Sequence, residues 1–268
     1  MPELIFIYEV LTYLLTGAIA GLAAGLLGIG GGLLIVPVLS TVFLIFLNIT
    51  DVVHLAIGTS LATIIITSYA SVKAHHQKEA VRWDIVKMMS LGVLAGAFLG
   101  GWGSQFVASN YLGMIFGGLE LIIAVYMLLN IKPSPQRNLP GLVTNNVVGG
   151  TIGAVSSLVG IGGGTLTTPY LVWNNIHIHH AIATSAAISI PVAVAGSIGF
   201  IIAGLNTPNL PPYTTGYIYW PAFFGIVLAS YFTAPIGARW AHRLPVLTLK
   251  RLFAGLLILL AIKMLFFI

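Results

Sequence analysis

Two stretches of this chain carry residues whose type and spacing could do chemistry: "LLGIGGGLLIVP" at Leu26–Pro37 and "LVGIGGGTLTTP" at Leu158–Pro169. Each places four glycines within five residues, in apolar surroundings, with a proline five residues beyond the last glycine. Glycine reaches backbone conformations that other residues avoid, so both blocks predict a break in a helix. Inside a bilayer such backbone is tolerated only where protein buries it or where it lines a cavity. The N–H groups that open the next half-helix then attract anions. Gly28, Gly30, Gly31 and Gly32, with Gly160, Gly162, Gly163 and Gly164, are therefore the expected frame of an anion site, and Pro37 and Pro169 are expected to fix the re-entry. A dinucleotide-binding reading fails, because GxGxxG needs glycine at Leu33 and Thr165 and no soluble βαβ unit surrounds either block.

Hydroxyls follow the same duplicated pattern. "GTS" at Gly58–Ser60 and "ATS" at Ala183–Ser185 set Thr59, Ser60, Thr184 and Ser185 in matching places. Such pairs either donate to an oxyanion or bond back to their own helix. Thr165, Thr167 and Thr168 extend the polar face after the second block only, since Leu33, Ile35 and Val36 take their places in the first. Glu120 lies well inside the apolar run "YLGMIFGGLELIIAVYMLL", and an intramembrane acid is a functional candidate by default; proton coupling is its expected role. Leu257 stands at the matching place in the other half.

Other chemistries find little support. "HHQKEAVRWD" (His75–Asp84) and "HIHH" (His177–His180) lack a third ligand at metal spacing. With no cysteine, disulfides, thiolate catalysis and iron–sulfur clusters are excluded. No nucleophile–base–orienter pattern occurs, and the chain has only six carboxylates. No enzyme activity, metal or cofactor is expected.

The elements that must position these groups follow from composition. Of 268 residues, 58% are hydrophobic and 6% charged, with a mean hydropathy of +1.02. A soluble domain carries about a quarter charged residues, and helices cross a bilayer on runs of roughly 20 apolar residues. The chain therefore reads as an all-α polytopic membrane protein whose partners are the lipid bilayer and a small anion. The net charge of +5 does not point to nucleic acid, because its basic residues fall at helix ends. The acidic start "MPELIFIYEV" lacks the basic region of a cleaved signal and reads as the first membrane segment.

Internal repeats complete the architecture. "AIGTS" returns as "AIATS" and "IFGGLELIIAVYML" as "LFAGLLILLAIKML", in the same order as the glycine blocks and at separations of 132, 125 and 137 residues. This divides the chain into a first transmembrane repeat at 1–131, a Pro-rich linker at 132–141 and a second repeat at 142–268. Each half holds five apolar segments, near 4–27, 33–47, 55–72, 84–106 and 111–131, then 142–159, 165–175, 181–204, 217–238 and 248–267. Segment 165–175 is too short to span and reads as one arm of a re-entrant hairpin. Whether the blocks are re-entrant or end full crossings stays open, giving 8–10 hydrophobic segments.

An odd number of crossings inverts one repeat against the other, as in many secondary transporters. Lys73, Lys78, Arg82 and Lys87, Lys132 and Arg137, and Arg239, Arg243, Lys250 and Arg251 then share one face, the cytoplasmic one. Lys263 is the exception, read as snorkelling from the C-terminus. The Gly17, Gly21, Gly25 series and its counterpart Gly149, Gly153, Ser157 have the small-xxx-small spacing of close helix packing. The aromatic residues of "GYIYWPA" suit an interfacial belt.

The paired glycine blocks, the "TS" motifs and the ending "GYIYWPAFFGIVLASYFTAPIGARWAHRLPVLTLKRLFAGLLILLAIKML" resemble the sulfite exporter TauE/SafE family, also called the toluene sulfonate uptake permease family. The similarity runs over essentially the whole chain and is most specific in "GA…AHRLP…LKR.FA". It implies a prokaryotic-type plasma membrane transporter of small sulfur-containing or organic anions such as sulfite, sulfoacetate and other sulfonates. The glycine blocks, Thr59, Ser60, Thr184 and Ser185 match the family pattern. The expected function is a secondary transporter working by alternating access, most simply an exporter; a passive anion channel is the alternative. A monomer and a homodimer are equally compatible with the sequence.

Overall fold

The computed structural model of the protein describes residues 2–28, 30–47, 51–129, 139–240 and 246–266. Ten α-helices occupy them: α1 (Pro2–Leu27), α2 (Gly32–Phe46), α3 (Val52–His76), α4 (Trp83–Gly103), α5 (Ser109–Leu128), α6 (Leu142–Leu158), α7 (Gly164–Trp173), α8 (Ile178–Gly204), α9 (Trp220–Trp240) and α10 (Val246–Phe266). Each apolar segment read from the sequence is one of these helices. Six are long and apolar enough to cross a membrane, namely α3, α4, α5, α8, α9 and the stretch Ile7–Leu27 of α1. The protein is a multi-pass helical membrane protein. Most of the linker at 132–141, with Lys132 and Arg137, lies outside the described residues, as do Ile29 and Arg243.

The second helix of each half is short. The 15 residues of α2 rise about 22 Å and the 10 of α7 about 15 Å, against the roughly 30 Å of a bilayer's hydrocarbon. Both start from the glycine blocks. Gly28, Gly30 and Gly31 have φ of 68°, 76° and 83°, and Gly160 has 70°, values at which a side chain is strained. The prolines stand elsewhere than expected. Pro37 and Pro169 lie inside α2 and α7, five residues past the start, so neither proline is in the turn itself. What proline does there is to remove the N–H that the carbonyl of Leu33 or Thr165 would accept in an unbroken helix.

In a bilayer, helices associate through close van der Waals contact rather than hydrophobic burial, and small residues set the seams. α1 packs along α9, where a Cβ at Gly17, Gly21 or Gly25 would collide with the backbone of Ile226, Ser230 or Ala234 and Ala238. α4 packs along α6 in the same manner, through Gly92 and Gly96 against Asn146 and Gly150, and through Gly149 and Gly153 against Met89 and Val93. α3 lies against α8, α4 against α8, α3 against α9, and α5 against α10. Each pairing maps onto itself or onto another when the two halves are exchanged.

Two local features depart from the sequence reading. A two-stranded hairpin, β1 (Thr214–Thr215) and β2 (Ile218–Tyr219), precedes α9, with Gly216 at φ 53° in its turn. It turns Tyr217 and Tyr219 inward, where both are buried, so they form no interfacial belt. Tyr217 stacks on His54 at a centroid distance of 5.0 Å and Tyr219 meets Phe43 edge-on at 5.4 Å. Lys263 is only half exposed, and its Nζ donates to Thr41 Oγ1 of α2. Its charge thus has a hydroxyl partner within the bundle.

Gly25→Val is expected to destabilise the α1–α9 seam by at least the roughly 1–3 kcal/mol typical of overpacking. Gly118→Val, at a position with open space around it, should melt like the unsubstituted protein; thermal unfolding of both in detergent checks this.

Candidate functional site

The two glycine blocks meet. A Cβ on Gly30 would stand 3.1 Å from the Cα of Gly162, and one on Gly162 would stand 3.2 Å from the Cα of Gly30. Gly32 faces the carbonyl of Gly160 and the Cα of Ile161, while Gly28 faces Ile182 of α8 and Gly160 faces Ile57 of α3. Ile57 and Ile182 stand at matching places in the two repeats. Gly28, Gly30, Gly31, Gly32 and Gly160 through Gly164 are all buried. Bare backbone therefore crosses bare backbone in the interior, with the starts of α2 and α7 beside the crossing.

Hydroxyls gather around the second block. Ser60 Oγ donates to the Gly160 carbonyl at 3.0 Å, tying α3 of the first half to the block of the second. Ser189 Oγ accepts the N–H of Gly164 at 3.1 Å and donates to the Ser185 carbonyl at 3.0 Å. Thr168 Oγ1 donates to Ser185 Oγ at 2.9 Å. Thr165, Thr167 and Ser156 are buried too, and their hydroxyl oxygens have no hydrogen-bond partner among the described residues. Buried polar groups are nearly always paired, which sets these three hydroxyls apart from the rest of the block. Thr165 and Thr168, with Gly164, form one wall of a cavity of about 240 Å³ whose other wall includes Leu119, Ile123 and Met127 of α5.

The "TS" pairs divide their labour. Thr59 Oγ1 accepts the N–H of Tyr219 at 2.9 Å, and Thr184 Oγ1 accepts the N–H of Arg82 at 3.1 Å. Each threonine thus holds the chain just before a helix of the opposite half, α9 in one case and α4 in the other. Gly58 serves the same clamp, since a Cβ there would strike the Tyr217 carbonyl. Of the two pairs, Ser60 bonds the second block directly at Gly160 and Ser185 bonds Thr168 just beyond it, while both threonines hold backbone of the opposite half.

Glu120 is fully buried, and neither carboxylate oxygen has a hydrogen-bond partner among the described residues. It shares a face of α5 with Gly117, three residues away. Gly117 packs against Ala261, Met264 and Leu265 of α10, so the acid lies at the junction of the two final helices. No hydrogen bond joins it to the glycine blocks. Among the described residues no Lys or Arg side chain is buried.

Ser189 and Ser156 were not anticipated. Ser189 was legible as the residue four beyond Ser185 on one helix face. Ser156 carried no such signal, being one serine of a pair in an ordinary apolar helix.

Ten helices, six with the length and composition to span, folded about a buried pair of helix starts, define the architecture of a membrane transporter. The chain belongs to the sulfite exporter TauE/SafE family, whose model matches residues 13–264. It is 40% identical over 261 residues to a "Probable membrane transporter protein" of Haemophilus influenzae, covering 95% of this chain and 97% of that one. It is 28% identical to a protein of the same description from Methanocaldococcus jannaschii, covering 83% and 80%. A third, from Bacillus subtilis, is 26% identical and covers 93% and 95%. No solved structure matches the chain.

The two kinds of threonine should separate in stability. Thr59→Val leaves the Tyr219 N–H unpaired and is expected to cost about 1–3 kcal/mol. Thr167→Val removes a hydroxyl with no partner and should leave the melting temperature unchanged or raised.

Proposed function

We propose that the protein is a secondary transporter, an exporter in its simplest form, of small sulfur-containing or organic anions such as sulfite, sulfoacetate and other sulfonates, resident in the cell membrane. The observation that carries this reading is the crossing of Gly30 and Gly162 backbone, flanked by helix starts and by hydroxyls without partners. Developing or fixed negative charge is favoured at helix N-termini. Substrate-binding residues on this reading are Gly28, Gly30, Gly31, Gly32, Pro37, Ser60, Gly160, Gly162, Gly163, Gly164, Thr165, Pro169 and Ser185, with Thr59 and Thr184 setting the backbone around them.

Residues 1–131 and 142–268 act as two inverted repeats joined by the linker. Support comes from the reciprocal packing, in which α1 meets α9 as α6 meets α4, and from the placing of charge. Lys73, Lys78, Arg82, Lys87, Arg239 and Arg251 fall at one set of helix ends, whereas residues 104–108 and 205–219 contain no Lys or Arg. Alternating access then rocks one bundle against the other about the crossing. Glu120 is the group that couples flux to a proton gradient, through its unpaired burial between α5 and α10.

Proteoliposomes loaded with sulfite, sulfoacetate, taurine, sulfate or acetate test the reading. Saturable uptake with counter-exchange is expected for at least one anion; flux that only follows the electrochemical gradient, without saturation, identifies a channel instead. Gly162→Val should reduce transport at least tenfold while the protein still inserts and folds, and normal transport by that variant removes the site. Glu120→Gln is expected to abolish the component driven by a pH gradient, and an unaltered response rejects its coupling role.

A further inference from the structure

The face of α3 that meets the crossing does not become apolar beyond it. Ser60 bonds the Gly160 carbonyl, and Ile64, one turn on, is in contact range of Gly30 and Gly32. Residues three and four apart share a helix face, so Ser60, Thr63, Ile64, Thr67, Ser68, Ser71 and His75 form one continuous stripe. It runs roughly 22 Å from the crossing to the Lys73-bearing end of α3. All of these residues are buried, Ser68 and Ser71 at 1% exposure. Thr63 and Thr67 bond back to Ser60 and Thr63, and Thr67 Oγ1 also meets Ser230 Oγ of α9 at 2.8 Å. The hydroxyls of Ser68 and Ser71 have no hydrogen-bond partner among the described residues.

The corresponding face of α8 is built otherwise. Ser185 and Ser189 match Ser60 and Ile64, but Ile188, Val192, Ala193, Gly196 and Phe200 stand where α3 has Thr63, Thr67, Ser68, Ser71 and His75. Val192, Ala193 and Phe200 are fully buried. Sealed hydroxyls without partners are costly in an apolar interior; α3 carries two on this face, Ser68 and Ser71, and α8 carries one, Ser197, at the place of Val72. The two on α3 have no hydroxyl at the matching places of α8, which are Ala193 and Gly196.

We propose that the hydroxyl face of α3, from Ser60 to Ser71 with Ser230 opposite, lines the half-path along which an oxyanion moves between the glycine crossing and the Lys- and Arg-bearing end, while the matching face of α8, apolar at Ile188, Val192, Ala193 and Phe200, closes the other side. The proposal rests on the transporter reading above. The Ser and Thr hydroxyls replace part of the anion's hydration shell without a cation that would hold it fast. Closed, the half-path leaves Ser68 and Ser71 without partners; open, water and the anion supply them.

The chain has no cysteine, so single cysteines report without background. Ser68→Cys and Ser71→Cys are to be compared with Ala193→Cys, and with Lys78→Cys as the marker of the Lys-bearing side. The probe is the membrane-impermeant sulfonatoethyl methanethiosulfonate, itself a small sulfonate, applied to proteoliposomes from each side. Ser68→Cys and Ser71→Cys should be modified from the side that modifies Lys78→Cys, at least tenfold faster than Ala193→Cys. Rates no greater than that of Ala193→Cys, or modification from the opposite side alone, overturn the proposal. If that happens while the unsubstituted protein carries anion and Gly162→Val does not, the half-path falls and the transporter reading stands. If no anion flux is found at all, both fall together. Ser71→Ala, which removes a hydroxyl without a partner, should lower flux severalfold at an unchanged melting temperature; unchanged flux counts against the half-path.

Discussion

The bundle is organised by an approach of two backbones that leaves no room for a side chain. At Gly30 and Gly162 even a single Cβ is crowded by the opposing Cα, and φ at Gly28, Gly30, Gly31 and Gly160 is positive. Space and dihedral angle thus demand glycine independently. Helix α1 must stop before the crossing and α2 must start after it, and the same holds for α6 and α7. Because the crossing joins the two halves, its geometry also fixes which helices become neighbours. The seams of α1 with α9 and of α4 with α6 use glycine again, but in unbroken helices, where it serves only to bring axes together.

Hydroxyls likewise serve two ends. Thr59 and Thr184 stabilise the fold by accepting backbone N–H groups from the segment entering a helix of the other repeat. Ser60, Ser185 and Ser189 surround the second block. Thr165, Thr167, Ser68 and Ser71 are buried without a hydrogen-bond partner among the described residues, a state that costs stability rather than adding to it.

Two repeats with reciprocal packing give a symmetric scaffold, yet its polar content is not symmetric. The threonines follow only the second block, Glu120 faces Leu257 across the repeat relation, and the stripe of α3 has no equal on α8.

The sequence by itself determined the helical membrane class and the ten apolar segments, because each rests on local composition. It also placed the seam glycines correctly from their four-residue spacing. Only the tertiary structure decided that the two breaks touch, that Pro37 and Pro169 lie within helices, and that Tyr217 and Tyr219 turn inward on a hairpin. It alone separated Thr59 from Ser60, and Thr184 from Ser185, although they are adjacent in the chain. Neighbouring residues on a helix point about 100° apart. What each meets there is set by segments more than a hundred residues away, to which no local pattern refers.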